Sequence, residues 1–117
     1  MKTIGFIGAG NMGGALAAAA CHAGYEENVY LYDKDEAKAQ ALATKLACHA
    51  DTLGAVVACD MIFLGVKPQV LPTVLGEIAP VIKNRSEKPV LVSMAAGISV
   101  ADIEGVIDNC PIIRIMP

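Results

Sequence analysis

Gly8-Ala9-Gly10-Asn11-Met12-Gly13 follows directly on a short apolar run, Ile4-Gly5-Phe6-Ile7, and opens an alanine-rich stretch of helical composition. A second apolar run, Val29-Tyr30-Leu31-Tyr32, ends at Asp33, 20 positions after Gly13. Strand, Gly-x-Gly-x-x-Gly, helix, strand, acid is the signature of a dinucleotide-binding βαβ unit, and each part has a mechanical reason. Gly8 permits the tight turn, Gly10 lacks the Cβ that would hold the backbone off a pyrophosphate, and Gly13 lets the helix lie close on the strand. The pyrophosphate then meets the free N–H groups and positive dipole end of that helix. A carboxylate at Asp33 accepts hydrogen bonds from ribose hydroxyls and repels a 2′-phosphate, a repulsion that Lys34 partly offsets. Asp33 also has a plainer reading, since either it or Asp35 could cap the helix that follows.

Apolar runs of strand length alternate with helical patterns along the rest of the chain, which implies βαβ units and a parallel sheet. The strands are expected at Thr3–Ile7, Asn28–Tyr32, Cys48–Ala50, Asp60–Val66, Val90–Ser93 and Ile112–Met116. The first helix runs from Asn11 or Met12 to Ala23 and stops at Gly24. The second covers Glu36–Leu46, with Ala37, Ala41 and Leu42 facing the sheet. A weak helix capped by Asp51 or Thr52 reaches Ala58. Another follows Lys67-Pro68 to Lys83, confined or kinked by Pro72 and Pro80. Ser99 and Asp102 form a capping box for a helix near Val100–Ile107. The fold class is therefore α/β: a Rossmann-type, doubly wound, mainly parallel sheet flanked by helices.

A chain of 117 residues makes one domain. Its 55% hydrophobic and 18% charged residues exclude disorder and suggest that one face is normally covered. A net charge of −3 argues against nucleic acid as a partner. The most apolar stretch, Leu53 to Val66, is broken by Asp60 and too short to cross a bilayer. With no basic leader before the first strand, a cytoplasmic location is expected. Cys21, Cys48, Cys59 and Cys110 lie 27, 11 and 51 positions apart, which is neither zinc-site nor dithiol spacing, so they read as small buried thiols. His22 and His49 read as ordinary element ends, and no metal is expected.

Ligands of open α/β sheets bind beyond the carboxyl ends of the strands. Here those ends are Gly8–Met12, Asp33-Lys34, Ala50–Thr52, Gly65–Pro68 and Met94–Gly97. They carry no nucleophile and no paired carboxylates, which suits a nicotinamide cofactor that brings its own chemistry. Lys67 is either a solvated strand-end lysine or a ligand contact. Ser93 is either a buried strand serine or a donor to a carboxamide. Arg114, between Ile113 and Ile115, is expected to pair with an acid rather than bind substrate.

Four segments in order, Ile4–Gly13, Val66-Lys67-Pro68, Ser93-Met94-Ala95-Ala96-Gly97-Ile98 and Arg114-Ile115-Met116-Pro117, resemble pyrroline-5-carboxylate reductases. The resemblance is collinear over the whole chain. It implies reduction of the cyclic imine of 1-pyrroline-5-carboxylate to proline, the last step of proline biosynthesis, with NADPH or NADH; Asp33 tilts the choice toward NADH. By the same resemblance Ile7, Gly8, Gly10, Asn11, Met12 and Gly13 hold the pyrophosphate. Asp33 and Lys34 take the adenosine ribose side and Thr52 the adenine edge. Gly65, Val66, Lys67 and Pro68, with Met94, Ala95 and Ala96, line the nicotinamide half. Family members often carry small or polar residues at the Asp33 position and Asn at Thr52, and their pattern continues into a helical domain that forms the dimer and supplies most substrate contacts.

The expected picture is thus an NAD(P)-binding domain over residues 1–117, the helical domain being absent. Catalytic groups, the proton donor among them, would lie outside it. The small-molecule substrate belongs to the full family protein, and the bare last strand offers an edge for homo-oligomer formation. Two rivals stand beside this reading. One is a domain of the F420-dependent NADP reductase or 3-hydroxyacid dehydrogenase type. The other is a non-catalytic nucleotide-sensing module, which needs neither the Val-Lys-Pro nor the Ala-Ala-Gly rim.

Overall fold

The computed structural model describes residues 2–115. Six strands, β1 (Ile4–Ile7), β2 (Val29–Tyr32), β3 (His49–Ala50), β4 (Met61–Leu64), β5 (Val90–Ser93) and β6 (Ile112–Arg114), form one sheet in the order β3-β2-β1-β4-β5-β6. Every pairing is parallel. This is a doubly wound order, reversing between β1 and β4, the crevice where such sheets receive ligands. The expected sixth strand reaches further in sequence; Met116 and Pro117 lie outside the described residues.

Helices α1 (Asn11–Ala20), α2 (Glu36–Leu46), α3 (Leu53–Val57), α4 (Leu71–Lys83) and α5 (Val100–Glu104) connect the strands. The chain leaves α1 through a wider helical turn, Cys21–Tyr25, where Gly24 at φ 100° ends the helical path. That is the left-handed stop its glycine predicts. Helix α2 has the expected bounds but a different face: Ala39 and Ala43 are buried, Leu42 and Leu46 pack beside them, and Ala37 and Ala41 are exposed. Alanine at every second position selects no helical face, whereas Leu42 and Leu46, four apart, do. Helix α4 buries Leu71, Leu75, Ile78 and Ile82 as one stripe, Pro72 sits in its first turn, and Pro80 lies on the exposed side. The capping box of α5 is formed, with the Ser99 hydroxyl accepting from Asp102 N–H at 3.1 Å and the Asp102 carboxylate from Ser99 N–H at 3.0 Å. The helix itself ends earlier than expected, in a turn at Gly105.

Two cores cover the two faces of the sheet. One joins Ile62, Leu64 and Leu91 to the α4 stripe and to Ile103; the other joins Phe6, Val29 and Leu31 to Ala17 and Ala43. The stacked rings of Phe6 and Phe63, 4.7 Å between centroids, sit where β1 meets β4. Arg114, expected to need an acid partner, is exposed, because the short outermost strand leaves its side chain at the sheet edge. Ile113 is 48% exposed on the same strand.

Candidate cofactor site

Because all six strands run parallel, the loops after β1, β2, β3, β4 and β5 gather on one rim. The glycine turn is built by close backbone contacts. Gly8 adopts φ 101°, and a Cβ on it would stand 2.5 Å from the Gly65 carbonyl oxygen. A Cβ on Gly13 would stand 2.5 Å from the Gly8 carbonyl oxygen, so α1 can approach β1 only with glycine there. A Cβ on Gly10 would meet nothing within 4 Å; its side of the backbone faces open space. Gly10 is also the N-cap of α1 and brings no capping side chain, and the first turn holds no acid. The leading N–H groups of a ten-residue helix are thus left to an outside acceptor, and the local chemistry favours an anion.

Asp33 closes the other side of the turn. Its Oδ2 accepts the Ala9 N–H at 2.8 Å and its Oδ1 the Asp35 N–H at 2.9 Å. The cap of α2 is Asp35, whose carboxylate accepts the Lys38 N–H at 3.3 Å. Thr52 caps α3, its hydroxyl accepting the Ala55 N–H at 3.2 Å.

Eight of the sixteen residues singled out in the sequence, Ile7, Gly8, Gly10, Asp33, Lys34, Gly65, Val66 and Lys67, line a single cleft of about 490 Å³ across the switch point. Thr52 lines an adjoining cleft of about 620 Å³, which shares Tyr32, Asp33 and Leu53 with the first. Asn11 and Met12 lie exposed at the head of α1, and Gly13 is buried beneath them. Pro68 and Ala96 are exposed, whereas Met94 and Ala95 are buried and can serve a ligand only through their backbone or by shaping the floor. Ser93 is fully buried with its hydroxyl accepting the Ala95 N–H at 3.4 Å, which makes it a strand serine that shapes the following loop.

Sequence reasoning missed one wall of the cleft. Val70, Thr73, Val74 and Glu77 line it from the start of α4, together with Lys38 from α2. The pattern is in the sequence: positions 70, 73, 74 and 77 repeat at i, i+3, i+4, i+7, on the face beside the buried leucine and isoleucine stripe, and Val70 is an exposed valine. Lys67 joins this wall while its carbonyl accepts the N–H groups of Val70 and Leu71, starting the helix.

Among the described residues no group of three His, Cys, Asp or Glu side chains could hold a metal ion, and no helix is long and apolar enough to cross a membrane. His49 stacks on Tyr30 at 4.7 Å and bonds the Glu27 carbonyl through Nε2 at 2.9 Å, a structural use. All four cysteines are free, two of them buried.

Residues 3–97 match the family model described as NADP oxidoreductase, coenzyme F420-dependent. Pyrroline-5-carboxylate reductase of Corynebacterium melassecola is 36% identical over 100% of this chain and 45% of its own length. Pyrroline-5-carboxylate reductase 3 of Mus musculus is 35% identical over 99% of this chain and 43% of its own. The crystal structure of Plasmodium falciparum pyrroline carboxylate reductase with NADP bound superposes with a TM-score of 0.81 at 26% identity, covering 99% of this chain and 42% of that one. The chain spans less than half the length of the curated relatives it matches. It belongs to the NADP oxidoreductase, coenzyme F420-dependent family, and the relatives it resembles along its whole length are pyrroline-5-carboxylate reductases.

Proposed function

We propose that residues 1–117 are the NAD(P)H-binding domain of a pyrroline-5-carboxylate reductase, which reduces the cyclic imine of 1-pyrroline-5-carboxylate to proline. The observation that carries this reading is the uncapped head of α1 beside the open face of Gly10, at the switch point of a sheet whose relatives are pyrroline-5-carboxylate reductases. In it, the glycine turn from Ile7 to Gly13 receives the pyrophosphate on backbone N–H groups. Asp33 and Lys34 stand on the adenosine ribose side, with Thr52 at the adenine edge. Gly65–Pro68 and Met94–Ala96 border the nicotinamide half. When bound, the nicotinamide supplies the hydride from its C4. The protein residues orient that ring and exclude water.

The proton donor and most substrate contacts, in this reading, belong to a helical partner domain of the kind that completes the family. In this reading the chain alone binds NADPH or NADH and turns over pyrroline-5-carboxylate poorly. Calorimetric titration with each cofactor, followed by a steady-state assay, tests it. Binding of neither dinucleotide, or robust turnover by the 117-residue chain, would overturn it.

A further inference from the structure

The strand-two acid stands where a ribose-binding carboxylate belongs, yet both of its oxygens are already engaged. Oδ2 takes the N–H of Ala9, the residue between the first two glycines of the turn, at 2.8 Å. Oδ1 takes the N–H of Asp35, which caps α2, at 2.9 Å. The neighbouring amide is held by the same strand end, since Gly8 N–H donates to the Tyr32 carbonyl at 2.8 Å. Two successive amides of the glycine turn therefore hang on Tyr32, the last residue of β2, and on Asp33 just after it. Ala9 is 8% exposed, so its N–H has little water to turn to. The bond spans a turn in which Gly8 sits at φ 101°, a left-handed conformation that favours glycine. Lys34 and Lys38 line the cleft on the same side and offset the carboxylate charge toward a ligand phosphate.

We infer that Asp33 is a positioning residue for the glycine turn: it fixes the backbone that receives the pyrophosphate, whichever cofactor is bound. This rests on the dinucleotide-binding reading above. The bond to Ala9 lies in the turn itself, so its loss frees Ala9 in the NADH and NADPH complexes alike.

Titration of the full chain with NADH and NADPH, for the parent, Asp33→Ala and Asp33→Asn, tests the inference. Asp33→Ala is expected to weaken both cofactors at least tenfold. Asp33→Asn keeps one acceptor oxygen and is expected to lose less with both. Hydrogen exchange at the Ala9 amide, followed by NMR, should quicken at least tenfold in Asp33→Ala and less in Asp33→Asn. Full parent affinity for either cofactor in Asp33→Ala would overturn the inference, as would unchanged Ala9 exchange in that variant. If the parent binds neither dinucleotide the functional reading falls, while exchange at Ala9 still decides whether Asp33 holds the turn.

Discussion

The carbonyl oxygen of Gly8 lies 2.5 Å from the place where Gly13 would carry a Cβ. The first and third glycines of the motif therefore share one contact, and the third member of that contact is Gly65, whose own Cβ would stand 3.1 Å from the Gly13 Cα. The end of β1, the head of α1 and the end of β4 meet here without side chains. Gly10 stands apart, facing open space. The three motif glycines thus do two different jobs, two in packing and one in leaving room.

That division predicts opposite behaviour for two alanine substitutions. Gly13→Ala forces α1 off the sheet and should destabilise the domain by about 1–3 kcal/mol, the usual cost of overpacking. Gly10→Ala should leave the melting temperature almost unchanged and weaken dinucleotide binding at least tenfold, about 1.4 kcal/mol. Thermal denaturation by circular dichroism and calorimetric titration separate the two. A Gly10→Ala protein that binds as tightly as the parent would remove the open-face argument.

Arg85 carries a second prediction, far from the rim. Its Nη1 donates to the carbonyls of Val57 at 2.7 Å and Cys59 at 2.8 Å, closing the end of α3 against the loop after α4. Arg85→Ala leaves both acceptors without that donor and should cost about 1–3 kcal/mol. Arg85→Lys should recover part of this, because a single ammonium can reach the same oxygens without the planar fork. Urea denaturation of the three proteins measures it, and cofactor binding should stay at the parent level in both variants.

The glycine turn, the bounds of α2 and β5 and the capping box of α5 were legible in the sequence because each rests on local chemistry. A glycine in a left-handed turn, or a Ser three residues before an Asp, needs no knowledge of the rest of the fold. Ala37 and Ala41 do not face the sheet as expected, because the alternating alanines carry no helical period; Leu42 and Leu46, which pack beside the buried Ala39 and Ala43, carry it. The α4 wall of the cleft is not legible from the strand ends, because Val70, Thr73, Val74 and Glu77 reach the rim from a helix and not from a loop. The bond from Ala9 to Asp33 spans 24 positions and has no sequence signature. Arg114 was expected among buried isoleucines, and the three-residue length of the edge strand decided otherwise.

Asp60 sets the acid limb of stability. Its Oδ2 accepts the Thr3 N–H at 2.9 Å and the Thr3 hydroxyl at 3.1 Å, tying the start of β1 to the start of β4. The Thr3 amide, followed by the hydroxyl, holds the carboxyl below its ordinary value. A depressed folded-state pKa contributes stability above the unfolded value, near 3.9, and that contribution is lost as pH falls through the folded value. Asp60→Asn should therefore flatten the fall of stability below about pH 4, while lowering stability at neutral pH. Denaturant titrations at a series of acid pH values show it, and an acid limb identical to the parent's would refute the assignment.

The alkaline limb belongs to the thiols. Burial pushes Cys48 up to about 12, and the neighbouring Cys21 thiol, itself raised by burial, adds to the effect. Both side chains pack in the core between α1, α2 and the sheet. In the unfolded chain these thiols ionise near 8.5. A raised folded-state pKa gives stability that is complete below the unfolded value and is lost as pH rises toward the folded one. The domain should therefore lose stability progressively from about pH 8.5 upward, and Cys48→Ala should shallow that slope even though it removes packing at neutral pH. The thiolate, not the thiol, reacts with iodoacetamide. At pH 8.5, near the unfolded value, Cys48 in the folded chain should accordingly alkylate at least tenfold more slowly than in the urea-unfolded chain. Peptide mass mapping of a timed reaction reads this directly, and equal rates in the two states would show that the Cys48 thiol is as free to ionise in the fold as outside it.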